Sequence, residues 1–326
     1  SYVRAEHSSG LTVYILEKPQ YNSAYAIFGT KYGSIDNCFS VDGEKCEVPE
    51  GIAHFLEHKL FESEDGDAFT KYAETGAYAN AFTSFDKTCY LFSCSNRFYD
   101  NLGILLNFVQ SPYFTEKTVQ KEQGIIGQEI TMYDDSPAWR VMFNMLRCMY
   151  KNHPVRIDIA GTVESISHIN ADLLYKCYNT FYNPGNMFIC IAGNVETEKV
   201  LEIINKSIKQ TEKKQIERIM PTEPAEVVTD YVEQSLEVAQ PIFCFGYKEN
   251  ADRKPTVKER VCTGILLEMI AGDASPLYEE LINEGLINDE FSFEYFTGTG
   301  YSAVIFEGES HNPKKVAEKI KREIER

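Results

Sequence analysis

Two histidines four positions apart, with a glutamate between them, stand in the stretch Gly51-Ile-Ala-His54-Phe-Leu-Glu57-His58. On a helix such a pair leaves one face a turn apart, so His54 and His58 can aim two ring nitrogens at one ion. Zinc accepts such nitrogens at roughly 2.0–2.1 Å. Glu57 shares the face, and its carboxylate can reach a water on the metal without ligating it. The order is H-x-x-E-H, the reverse of the commoner H-E-x-x-H. Ordinary residue usage produces it by accident in roughly one chain of this size in a hundred. The competing reading is an amphipathic helix with two ordinary histidines, and a third ligand would separate the two.

Candidates for that ligand lie in residues 119–132. Val119, Ile125, Ile126, Ile130 and Met132 repeat there with helical rather than alternating spacing. Glu122 and Glu129 are seven apart and so share a face, two turns from each other. Either one alone would suit a solvated helix. Together they can supply a metal carboxylate and a partner that hydrogen-bonds a ligand, and spacing does not say which is which. Glu129 follows His58 by 129 − 58 = 71 residues, room enough for a later helix to return onto the first.

The elements that must position these residues are legible in outline. Residues 11–16 and 23–28 read as strands. Pro49 precedes the histidine helix, which the pattern carries to about Glu62. A second helix over 67–75 stops at Gly76. A strand follows over 80–93, then an apolar-faced helix over 98–109. Thr115 caps the glutamate helix, with Glu116 favouring its start, and 189–193 is a buried strand. A mixed sheet with helices packed on one face makes the class α+β, in two layers.

Several blocks resemble one family, the pitrilysin/insulinase zinc peptidases, which include the mitochondrial processing peptidases. The block Gly76-Ala-Tyr-Ala-Asn80-Ala81-Phe-Thr83 is similar to its Asn-Ala-x-Thr strand. His153-Pro154 followed by Gly161-Thr-Val-Glu164-Ser-Ile, and Tyr182-Asn-Pro184-Gly-Asn186-Met187 leading to Ala192-Gly193-Asn194, resemble later blocks in the same order. The His58-Lys59-Leu-Phe-Glu62 continuation looks most like the bacterial two-domain members. The resemblance implies that Glu129, the later glutamate, completes the ligand set for one Zn2+ with His54 and His58. It also implies that Glu57 is the general base and that Glu122 is needed for activity without ligating. It places Asn80 and Ala81 beside the site, where they would bind a peptide substrate. Elsewhere the family uses an Arg and a Tyr from a strand that corresponds to 301–306. This stretch has no Arg, which leaves Tyr301 alone.

The resemblance also implies two homologous domains of largely antiparallel sheet, in the mitochondrial-processing-peptidase-like fold, with only the first holding metal. We expect a catalytic domain over 1–210, a charged, proline-broken linker over 211–224 and a homologous domain over 225–326. Setting Gly264 on Gly51 puts Leu267, Ile270 and Ala271 where His54, Glu57 and His58 stand. Setting residue 225 on the start of the chain brings Arg326 opposite about residue 110, so the second copy is expected to be incomplete.

Composition narrows the function. A net charge of −17 speaks against nucleic acid. No apolar run is long enough to span a membrane. Nine cysteines, an odd number without a C-x-x-C pair, favour reduced thiols and a cytoplasmic setting. The expected activity is zinc-dependent endopeptidase cleavage of short or unfolded peptides. The alternative is a non-catalytic or partner-dependent subunit. A homodimer and a pairing with an inactive homologous chain both fit the family.

Overall fold

The computed structural model describes residues 1–64, 66–212, 214–249 and 253–326. Its packing forms two units, one of Ser1–Ile130 with Asp158–Ile219, the other of Thr131–Ile157 with Met220–Arg326.

The first unit is built on a six-stranded sheet. Its strands are β1 (Val3–Glu6), β2 (Thr12–Glu17), β3 (Ala24–Thr30), β4 (Tyr78–Thr83), β5 (Thr88–Cys94) and β6 (Met187–Gly193). Their spatial order is β1-β2-β6-β3-β5-β4, antiparallel throughout except for β6 against β2. Alternation sends Val13, Ile15, Phe28, Tyr90, Phe92 and Ile189 to one face, where all are buried. The helices α1 (Ile52–Leu60), α2 (Ala68–Thr75) and α3 (Phe98–Val109) pack on the sheet. The other face keeps Tyr25 exposed and leaves Tyr14, Ile27 and Cys190 half-buried. This is the α+β, two-layer arrangement expected.

The remaining helices of this unit are α4 (Glu116–Asp134), which belongs to it as far as Ile130, α6 (Ala171–Phe181) and α7 (Thr197–Ser207). Helix α2 begins and ends as its residues dictate. Asp67 accepts the Phe69 N–H at 2.7 Å, and Gly76 closes the helix at φ 72.

Two expectations change. The strand read over 80–93 is a hairpin, β4 and β5, turned at 84–87, where the Ser84 N–H reaches the Lys87 carbonyl at 2.8 Å. Ser84 and Asp86 are turn formers inside an otherwise strand-like run, and that chemistry overrides the apolar pattern. The stretch expected to be a linker is partly sheet. Ile216–Arg218 pairs antiparallel with Cys38–Val41, and Arg218 Nε donates to the buried Asp36 at 2.7 Å. Burial still raises the Asp36 pKa to about 6, even with Arg218 beside it.

The second unit contains α5 (Pro137–Met149), α8 (Val257–Ala271), α9 (Pro276–Asn283) and α10 (Pro313–Ile324). They accompany a sheet of β7 (Ile242–Lys248), β8 (Ser292–Gly298) and β9 (Tyr301–Glu309), in the order β7-β9-β8. Helix α5 packs on β7. That is why 131–157 joins this unit, although no break in composition marks its departure from residues earlier in the chain. Thr256 and Glu259 form a capping box at the start of α8. Leu267 and Ala271, which the expected alignment sets against His54 and His58, are buried in an apolar core with Leu277, Leu281 and Phe306. Tyr301 is buried as well, its ring beside His153 and Phe296. Among the described residues no helix is long and apolar enough to cross a membrane.

A carboxylate clasp fastens this unit. Glu223 accepts from the backbone N–H groups of Lys151, Asn152 and His153 at 2.9, 2.7 and 2.7 Å, and from Lys248 Nζ at 2.7 Å. Burial alone would raise its pKa. Lys248 and the three N–H groups outweigh that and hold it at about 2. A folded-state value below the unfolded value of roughly 4.3 gives stability that is complete above that pH and is lost as pH falls towards 2. The stability advantage of the natural protein over Glu223→Gln, followed by denaturant melts, should therefore shrink steadily from pH 5 down to pH 2. A difference that stays constant over that range would contradict the clasp.

Candidate metal centre

Helix α1 buries eight of its nine residues, including His54 and Glu57 at 8% exposure each and Lys59 at 0%. Its start is fixed by backbone rather than by a side-chain cap. Gly51 caps it at φ 86, and a Cβ there would stand 2.3 Å from the Ala160 carbonyl oxygen. Ser165 Oγ donates to the Glu50 carbonyl at 2.9 Å, and Thr162 and Ser165 form a capping box on the short helix Val163–Ser167. The Gly161-Thr-Val-Glu-Ser-Ile block thus seats the first turn of the histidine helix.

From this position both imidazoles meet α4. His54 Nε2 lies 3.7 Å from Glu129 Oε1, and His58 Nε2 lies 3.4 Å from Glu129 Oε2. On its other side His58 Nδ1 contacts Glu122 Oε1 at 3.1 Å. That contact places the proton on Nδ1 and leaves the Nε2 lone pair facing Glu129. His54 Nδ1 is buried without a hydrogen-bond partner among the described residues. Burial, then the neighbouring His58, pushes the His54 pKa down to about 3, so its ring is neutral, the form that ligates. Burial also lowers the His58 pKa, but Glu122, Glu57 and Glu129 together raise it overall.

The donor set fits zinc. Among the described residues, His54, His58 and Glu129 are the one group of three histidine, cysteine or acidic side chains close enough to share a metal, all within 4.8 Å of one another. A tetrahedral ion with bonds of roughly 2.0–2.1 Å separates its ligands by about 3.3–3.4 Å. The 3.4 and 3.7 Å contacts lie near that spacing and are too long for direct hydrogen bonds.

Glu57 does not join this group. Its Oε2 accepts from Thr83 Oγ1 at 2.8 Å, which ties the carboxylate to β4. Burial raises its pKa and Thr83 works against that. Burial likewise opposes ionisation of Glu122, where the bond to His58 and the charges of His58, Lys59 and Lys121 win and lower the pKa. Lys59 is itself paired with Glu62. Neither Thr83 nor Lys59 is marked for a role at the centre by residue type, although both lie in the blocks that carry the family resemblance. Two residues from Ala81 on a strand, Thr83 had to share its face, and that alternation was the available signal.

Asn80 and Ala81 lie on β4, the edge of the sheet, inside a strand rather than in a turn after Gly76. Alternation puts Ala79, Ala81 and Thr83 on the face that reaches Glu57, and Tyr78, Asn80 and Phe82 on the other. Asn80 Oδ1 accepts the Ala81 N–H at 2.9 Å.

Two histidines and a glutamate, drawn from two helices, make a donor set of the kind that zinc hydrolases use. Comparison with known proteins makes the class specific. Residues 44–163 match the family described as Insulinase (Peptidase family M16), and residues 168–326 match the Peptidase M16 inactive domain. The chain is 47% identical over 321 residues to a Bacillus subtilis protein described as "Uncharacterized zinc protease YmfH", covering 96% of this chain and 75% of that protein. It is 30% identical to "Uncharacterized zinc protease YmxG" of the same organism, over 63% of this chain and 51% of YmxG. The crystal structure of an M16-like peptidase from Alicyclobacillus acidocaldarius superposes with a TM-score of 0.96 at 38% identity, over 100% of this chain and 78% of that one. Pitrilysin shares the fold at a TM-score of 0.76 and 18% identity, over 100% of this chain and 36% of its own. The chain belongs to the M16 (insulinase) peptidase family.

Two substitutions test the centre. Gly51→Ala should destabilise the first unit by at least about 2 kcal/mol, from the left-handed backbone and the carbonyl contact together. An unchanged denaturation midpoint would show that α1 starts differently. In a zinc titration Glu129→Ala should weaken binding steeply, and Glu122→Ala by only about 10–100-fold. The reverse ranking would exchange the two glutamates.

Proposed function

We propose that this chain is a zinc-dependent endopeptidase acting on short or unfolded peptides, with one Zn2+ held by His54, His58 and Glu129. The observation that carries this reading is the approach of Glu129 to both Nε2 atoms at ligand-like spacing, with Glu57 on the same helix and outside the set. Bound there, zinc would supply a Lewis acid for the scissile carbonyl and a water more acidic than bulk water.

The chain's own groups do the rest. Glu57 takes a proton from the attacking water as the new C–O bond forms, and hands it to the nitrogen as the C–N bond breaks. Burial raises its proton affinity towards the range useful at neutral pH, while Thr83 keeps the carboxylate aimed. Glu122 fixes the orientation and tautomer of His58. Among the described residues strand β4 has one edge that pairs with no other strand, and it can take an extended peptide as an added strand, with the Ala81 backbone and the Asn80 carboxamide as its contacts.

Nine cysteines without a disulfide support a cytoplasmic setting. Pairing with a second copy or an inactive homologous chain is supported by α8, which exposes Val257, Val261, Ile265 and Met269 along one stripe.

Glu57→Gln tests the assignment. It should keep its zinc, measured by metal analysis, and lose about 10²–10⁴-fold of the turnover of a quenched fluorescent peptide. Chelation should abolish wild-type turnover and added zinc should restore it. Near-normal turnover by Glu57→Gln would remove Glu57 from the mechanism. A zinc-loaded wild-type protein that cleaves no peptide would favour the non-catalytic or partner-dependent reading.

A further inference from the structure

The two groups assigned above to the peptide are bonded to each other. Asn80 Oδ1 accepts the Ala81 N–H at 2.9 Å, so this donor is turned away from β5 and towards the free edge, where it is already taken. The other end of the same carboxamide is also held, because Asn80 Nδ2 donates to the Tyr78 hydroxyl at 3.2 Å. Tyr78 is 61% exposed, so burial in the core does not explain its presence. The three residues form a short chain of bonds along the edge, Tyr78 to Asn80 to Ala81, two positions short of the Thr83 that holds Glu57.

We propose that Tyr78 is a positioning residue that latches Asn80 across the edge of β4, so that a peptide must displace the Asn80 carboxamide before it can pair with Ala81. This rests on the reading of β4 as the peptide-binding edge. An occupied edge donor lowers the fraction of protein ready to bind, and the apparent affinity falls by the same fraction. The latch therefore costs affinity for a peptide that touches Ala81 through its backbone. It also gives the unpaired edge a partner when no peptide is present, which limits pairing with the edges of other molecules.

The test uses Tyr78→Phe, which removes one hydroxyl at an exposed site and keeps the ring. Amide hydrogen exchange at Ala81 is read in the metal-free protein, and binding of a labelled extended peptide is read by fluorescence anisotropy in the same metal-free state. Neither measurement needs turnover. One net hydrogen bond of this kind is worth about 2–10-fold in an equilibrium. The latch predicts that Ala81 exchanges faster by about that factor in Tyr78→Phe, that Asn80→Ala gives a similar rise, and that Tyr78→Phe binds the peptide about 2–10-fold more tightly than wild type. Unchanged Ala81 exchange in Tyr78→Phe overturns the proposal, and so does weaker peptide binding, which would make the hydroxyl a direct contact. If wild type and variant both fail to bind peptide while zinc-dependent cleavage persists, β4 is not the docking edge and the latch falls with it. If binding tightens as predicted but cleavage is absent, the latch stands and the catalytic reading falls.

Discussion

The contact of α4 with α1 is the constraint on which the centre depends. Three carboxylates (Glu57, Glu122 and Glu129) surround two imidazoles in a largely buried place. With both rings neutral and all three carboxylates ionised the group carries a charge of −3, and burying like charges together is costly unless opposite charge answers them, as Lys59 and Lys121 do for Glu122. His58 answers in part, since the carboxylates raise its affinity for a proton. His54 cannot, because burial keeps it neutral. A divalent cation among the two Nε2 atoms and Glu129 would lower the charge to −1 and take up the lone pairs that have no other use. The same arrangement that is unfavourable as a bare cluster of acids is therefore well suited to a metal.

The rigidity of that contact comes from backbone. Gly51 lets the chain pass against the Ala160 carbonyl, and Ser165 ties down Glu50, so the first turn of α1 has one available position. His54 lies in that first turn and His58 one turn later, and both inherit its accuracy. A side-chain cap would have left more freedom, because a rotamer change could release it. The glycine offers no such alternative.

How much of this could be read from residues alone varied with the kind of signal. Periodicity found α3 and the buried positions Val119, Ile126 and Ile130 of α4, because a buried helical face repeats in the sequence whatever lies against it, but the same pattern included Ile125 and Met132, which are exposed. Helical spacing also put His54 and His58 on one face of α1, and Glu122 and Glu129 on one face of α4. What escaped was non-local or overridden. The turn at 84–87 was hidden by apolar neighbours on both sides. Pairing of Ile216–Arg218 with Cys38–Val41 depends on strands far apart in the chain, and the place of α5 depends on β7, which comes nearly a hundred residues later. Spacing within 119–132 made Glu122 and Glu129 equivalent. Only the structure shows one of them facing both Nε2 atoms and the other facing His58 Nδ1.

The second unit shows a helix that is held by apolar packing. Its helix α8 buries Leu267 and Ala271 against Leu277, Leu281 and Phe306. An apolar pair there needs no partner helix bearing acids and stabilises the layer by burial alone. The first unit gives up that gain at two inward positions and must supply a polar answer for each group placed there: Glu122 for His58, Thr83 for Glu57, Glu62 for Lys59. His54 Nδ1 is the place where that accounting stays open. An ion at Nε2 would leave Nδ1 as it is, so the argument for a ligand rests on the other nitrogen, which faces the Glu129 carboxylate at 3.7 Å, too far for a hydrogen bond and near the spacing of two ligands on one ion.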